Sequence, residues 1–111
     1  MKRPLIFVSA PYRVNVKENV RQAERCCRSV YQQWGIPFAP NLLYTRFLDD
    51  YDLEEQFAGL NLGAEVLQRC DALWAFGKPT AGMMYEIDTA ICLGIPVRRF
   101  SLDCQEVKEN G

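Results

Sequence analysis

Glu86 closes the stretch TAGMMYE, Thr80 to Glu86, which lies between the apolar run DALWAFG and the helix-like IDTAICLG. A buried strand that gives way to a helix here would set a lone carboxylate one turn inside that helix, where open α/β sheets keep their ligand sites. Such a Glu is a candidate nucleophile; a solvated or ion-paired helix residue is the plainer alternative. Gly77, Thr80 and Gly82 surround the same helix start, where free backbone N–H groups and the helix dipole favour a phosphate or carboxylate. The competing reading is a strand-to-helix turn that uses Gly and Thr for conformation and capping. Arg13, following the first apolar run, suits an anion, and Tyr12 can hydrogen-bond a sugar or stack on a base. An ordinary exposed loop would explain both as well.

Other chemistries are poorly served. GKPT has the Lys of a Walker A loop, but Ala72 stands where the earlier glycine is required and Pro79 separates Lys78 from Thr80. Asp49, Asp50, Asp52, Glu54 and Glu55 lack the EF-hand glycine and spacing and read as a solvated helix start. With no His, and with Cys at 26, 27, 70, 92 and 104, there is neither a Cys-His pair nor zinc-ligand spacing. Reduced, mostly packed thiols are expected. No metal and no cofactor is called for.

A 111-residue chain that is 49% hydrophobic can build one core without staples, so residues 1–111 are read as a single domain. Thirteen basic and fourteen acidic residues, a formal net charge of -1, give no footprint for a nucleic-acid polymer. A small phosphate needs only one or two cations. MKRPLIFVSAPYR has too short an apolar run for a signal peptide or a membrane span, and a cytoplasmic location is expected.

The elements that would position these residues alternate. Leu5 to Val8 and Ala72 to Phe76 are continuous apolar runs, as expected of central strands covered on both faces. Asn15 to Trp34 has helical spacing, with Val16, Val20, Ala23, Cys27, Val30 and Trp34 on one stripe, Asn15 and Glu18 as a capping-box variant and Gly35 as the stop. Pro37 to Ala39 is a short second strand. Asp52 and Glu55 open a second helix with Phe57, Leu60, Ala64 and Leu67 buried. Gly59 and Gly63 within it call for a close approach of backbone or ligand, since each costs about 1 kcal/mol relative to Ala. Thr80 caps the third helix, Gly94 ends it, and Pro96 to Phe100 forms the fourth strand. A polar, frayed tail follows Ser101. The long NLLYTRFLDDY connection, with Tyr44, Arg46 and Phe47, suggests a lid or a subunit contact.

This alternation predicts a three-layer α/β domain, Rossmann-like in the flavodoxin sense, with a parallel sheet ordered 2-1-3-4 and room for one extra edge strand. The loops after strands one and three then flank one crevice, with Ser9, Tyr12 and Arg13 facing Gly77, Thr80 and Gly82. On the third helix, at about 100° per residue, Glu86 lies roughly 70° from the centre of the stripe made by Met83, Ile87, Ala90 and Gly94, and Asp88 roughly 130° away. Glu86 borders the core and Asp88 points to water.

VSAPYR, the PNLLYTRFLDD loop, GLNLGAEVLQRCDALWAFG and TAGMMYEIDTAICLGIPV together resemble a family of small uncharacterised bacterial and phage proteins. That family is similar to the nucleoside 2-deoxyribosyltransferases and to the nucleoside-monophosphate N-glycosidases. The resemblance runs from Leu5 to Phe100. It implies that Glu86, in GMMYE, attacks the anomeric carbon of a nucleoside or nucleotide, with phosphate contacts from Thr80, Ser9 and Arg13. The Asp that the transferases carry before the small-residue turn is Thr80 here, and the acidic position on the preceding helix falls near Asn61 to Gly63. Without His, the proton for the leaving base must come from a Tyr, a carboxylic acid or water, and Tyr12 is the nominee. The resemblance further implies a homo-oligomer whose neighbouring subunit completes the pocket. The alternative function is a non-catalytic nucleotide-binding or sensing module.

Overall fold

The structure, a computed structural model, describes residues 2–13 and 15–108. Four strands, β1 (Leu5–Ser9), β2 (Ile36–Phe38), β3 (Ala72–Phe76) and β4 (Val97–Phe100), form one sheet in the order β2-β1-β3-β4. All three pairings are parallel, with Phe7 opposite both Phe38 and Leu73, and Phe76 opposite Phe100. The connecting helices are α1 (Val16–Gln32), a short α2 (Pro40–Leu43) continued by a 3-10 turn at Tyr44–Arg46, α3 (Leu53–Leu67) and α4 (Ala81–Cys92). This is the expected α/β order. The extra edge strand is not formed among the described residues, where only an isolated antiparallel bridge joins Phe100 to Glu106.

The side-chain period of two divides each central strand between two cores. Ile6, Val8, Trp74, Phe76 and Phe100 pack with Cys26 and Val30 of α1 on one face. Phe7, Leu73 and Ala75 pack with Leu67 of α3 and with Met83, Ile87 and Ala90 of α4 on the other. Ser9 shares the parity of Phe7, so the last residue of β1 turns toward the α4 layer. It is fully buried.

Several local expectations are corrected. Asn15 has φ 56 and makes no side-chain cap, because a residue in the left-handed region cannot aim its side chain back at the first free N–H groups as an extended N-cap does. Trp34 lies outside α1, at φ 72, exposed, with the Arg3 guanidinium 4.1 Å from its ring centroid. Gly35 is required for space: a Cβ there would stand 2.7 Å from a Val30 methyl. Phe57 is exposed, whereas Leu67 of the expected stripe is buried, together with Gly63. Gly94, placed on the buried stripe of α4, is exposed at φ 73 and serves as the helix stop.

The tail expected to fray folds back through residue 108, and the rest of it lies outside the described residues. Val107 N donates to Arg99 O at 2.8 Å, and Arg98 makes a two-pronged contact to Glu106 at 2.8 and 2.6 Å. The acidic run before α3 is a helix start, as expected. Asp52 accepts from Glu54 N at 3.2 Å, and Glu55 accepts from Asp49 N at 2.9 Å.

Candidate functional site

The carboxyl ends of all four strands open into one cavity of about 580 Å³, within the range that takes a small-molecule ligand. The segment after β1 contributes Ala10 to Arg13, and the strap after β2 contributes Pro40, Asn41, Tyr44, Thr45, Leu48 and Asp50. Glu55, Gln56, Gly59 and Leu60 come from α3, and Lys78, Thr80, Ala81, Gly82, Met83 and Glu86 from the turn after β3 and from α4. Leu102 follows β4. This is the crevice that a change of winding direction between β1 and β3 leaves open. Two tethers hold its rim: Asn41 Nδ2 donates to Ala10 O at 3.0 Å, and Arg13 Nη1 to Asp50 Oδ2 at 3.0 Å.

Glu86 enters the cavity because α4 starts where it does. Thr80 is extended, and its hydroxyl accepts from Met83 N at 3.3 Å, which sets the first turn. Met83, Ile87 and Ala90 then face the sheet, leaving Glu86 at the edge of that stripe, half-buried, while Asp88 is exposed. Glu86 Oε1 accepts a 2.7 Å hydrogen bond from Ser9 Oγ. Burial pushes the Glu86 carboxyl up to about 7, against which the Ser9 hydrogen bond pulls it down. A carboxyl near 7 is poised between acid and nucleophile in neutral solution.

Tyr12, Arg13, Thr80, Gly82 and Glu86 thus line the same cavity. Ser9 and Gly77 do not line it. Ser9 lies behind Glu86, and Gly77, at φ 82, makes the turn beside Leu102: its N–H donates to Phe100 O at 2.9 Å, and a Cβ would come within 2.7 Å of a Leu102 methyl. Tyr12 is half-buried and its carbonyl accepts from Asn19 Nδ2 at 3.0 Å.

Lys78 was missed as a site residue, although the GKPT string drew attention to it. Glu55 reads in the sequence only as part of a helix start, and Gln56, which donates to Asp50 O, carries no sequence signal. Gly59 answers part of the question of the two helix glycines, since it lines the cavity, whereas a Cβ at Gly63 would meet the Phe7 ring at 3.8 Å. Of the strap's three singled-out residues, Tyr44 lines the cavity; Arg46 and Phe47 are exposed elsewhere.

Among the described residues no cluster of His, Cys, Asp and Glu could hold a metal ion. All five cysteines are free. Burial pushes the thiols of Cys26 to about 12 and of Cys27 and Cys70 to about 11, which keeps them protonated and unreactive. Cys92 is exposed. No helix among the described residues is long and apolar enough to cross a membrane.

A family model described as a domain of unknown function, DUF7768, matches residues 4–100. The chain belongs to the DUF7768 family. No curated protein matches it. Among solved structures, this DUF7768 chain is similar to a 2-deoxyribosyltransferase from Bacillus psychrosaccharolyticus, with a TM-score of 0.65 and 19% identity over 95% of this chain and 77% of that one. At that identity the likeness establishes a shared three-layer fold with a parallel 2-1-3-4 sheet, the architecture expected from the strand and helix order.

Proposed function

We propose that the DUF7768 chain acts on the N-glycosidic bond of a nucleoside or nucleotide, with Glu86 as nucleophile. The observation that carries this reading is a half-buried carboxylate, held on one oxygen by Ser9, on the wall of a ligand-sized cavity at the carboxyl ends of the strands. The fold shared with a 2-deoxyribosyltransferase supports it.

In the proposed reaction a Glu86 oxygen forms a bond to the anomeric carbon while the carbon–nitrogen bond breaks, its electron pair leaving with the base. The base takes a proton from Tyr12 or water. Water or a second base then attacks the same carbon and releases the carboxylate. Asp50 and Glu55 are both engaged as acceptors, Asp50 by Arg13 and Glu55 by Asp49 N. Ser9 is too deep to contact phosphate. That role falls to Arg13, Lys78 and the N-terminal turn of α4 at Thr80 and Gly82.

The engagement of Asp50 and Glu55 as acceptors also favours a second reading, a non-catalytic nucleotide-binding or sensing module. Incubating the protein with a panel of nucleosides and 5′-monophosphates and measuring free base decides between them. Base release supports the enzyme. Tight binding without release supports the sensor, and neither overturns both.

The same reading takes the protein to be a homo-oligomer of the cytoplasm, where unpaired thiols stay reduced. Leu53 and Phe57, one turn apart on α3 and 67% and 61% exposed, supply an uncovered apolar stripe beside the strap. Sedimentation showing only monomer at working concentration would remove the oligomer.

A further inference from the structure

We propose that Ser9 is the positioning residue for Glu86, clamping Oε1 and holding the carboxylate ionised so that Oε2 is the oxygen that reacts. The inference rests on the reading of Glu86 as nucleophile and reassigns Ser9 from ligand contact to support.

Three observations meet here. Ser9 Oγ donates to Glu86 Oε1 at 2.7 Å, a short contact of the charge-assisted kind. Ser9 is completely buried at the end of a central strand, so the donor cannot swing away to water as a surface hydroxyl would. Glu86 itself lines the cavity and Ser9 does not, which leaves the second carboxylate oxygen as the one offered to a ligand.

The chemistry follows from the surroundings of the pair. Below Glu86 in the α4 layer lie Phe7, Met83 and Ile87, which offer no solvation to a charge. A carboxylate in such a place tends to take up a proton, and a protonated carboxyl is not a nucleophile. A hydroxyl donated to the charged form opposes that. The titratable and charged side chains that share the cavity with Glu86 are Tyr12, Arg13, Tyr44, Asp50, Glu55 and Lys78. Among the described residues none of them hydrogen-bonds its carboxylate. It is Ser9, among the described residues, that hydrogen-bonds the carboxylate.

Two measurements on Ser9→Ala test this. The first needs no substrate: the Glu86 carboxyl is titrated by carbon-13 NMR in the parent and in the variant, with Glu86→Gln identifying the signal. The midpoint should move upward on loss of the hydroxyl. The second follows base release against pH, where the variant should lose about tenfold more rate than the parent at pH 6 and recover most of it by pH 9. Ser9→Thr keeps the hydroxyl and should keep the parent's midpoint. If Ser9→Ala fails to fold, Ser9→Cys, close in size but a weak donor, takes its place. An unchanged midpoint overturns the proposal, as does an equal loss of rate at every pH. A shifted midpoint in a protein that releases no base would uphold the Ser9 clamp while the glycosidase reading falls.

Discussion

The Arg13 guanidinium meets the Asp50 carboxylate at 3.0 Å, across 37 positions of sequence, and ties the loop after β1 to the strap before α3 over the mouth of the cavity. The pair is partly exposed, so it contributes at most about 1 kcal/mol to folding. Its consequence is for ligands. Among the described residues Arg13 and Lys78 are the cations that line the cavity, and Asp50 competes with any incoming anion for Arg13.

Arg13→Ala should weaken 5′-monophosphate binding by about 1.5 to 3 kcal/mol, the scale of a charge-assisted hydrogen bond, and change nucleoside binding far less. Asp50→Asn should act in the opposite direction by freeing the guanidinium. Calorimetric titration of both variants with a nucleoside and its monophosphate checks this. Equal losses for both ligands in Arg13→Ala would show that Arg13 does not hold the phosphate.

Base release should rise with pH through about 7, because the nucleophile must be ionised and burial holds the Glu86 carboxyl there. A pH–rate profile flat between 5.5 and 8.5 would disconnect Glu86 from the rate.

Glu86→Gln should reduce base release by several orders of magnitude while preserving binding, and release within about threefold of the parent would end the nucleophile assignment. The same change should stabilise the fold at pH 8. A carboxyl raised from 4.5 to about 7 favours folding while protonated, and that contribution is lost as pH rises through about 7. At roughly 1.4 kcal/mol per pH unit the loss approaches about 3 kcal/mol, which a neutral amide avoids. Urea melts at pH 8 and pH 4 should therefore show a large gain and almost none.

Gly77→Ala and Gly82→Ala should separate conformation from contact. At Gly77 the φ of 82° and the 2.7 Å approach to Leu102 predict a loss of about 1 to 3 kcal/mol by denaturant unfolding. At Gly82 a Cβ meets nothing within 4 Å, and an exposed first helical turn gains about 0.5 to 1 kcal/mol from Ala. Weakened ligand binding by Gly82→Ala, despite the added stability, would mark the α4 start as a ligand contact.

The sequence by itself determined the order of elements, the parallel sheet and the position of Glu86 on the rim of its helix. These follow from patterns a few residues long: apolar runs for strands buried on both faces, helical spacing, Thr80 before a helix and Gly94 after it. Two expectations of the same local kind do not hold where the backbone leaves its usual region, at Asn15 and Trp34, both with positive φ. The contacts that would give the site its chemistry were decided only by the tertiary structure. Ser9 and Glu86 are 77 positions apart, and each alone reads as an ordinary strand or helix residue. They meet because β1 and β3 are neighbours and α4 packs across both, so strand parity turns Ser9 toward the helix face that carries Glu86. Local periodicity records which face a side chain takes; the crossover connections decide what lies opposite it.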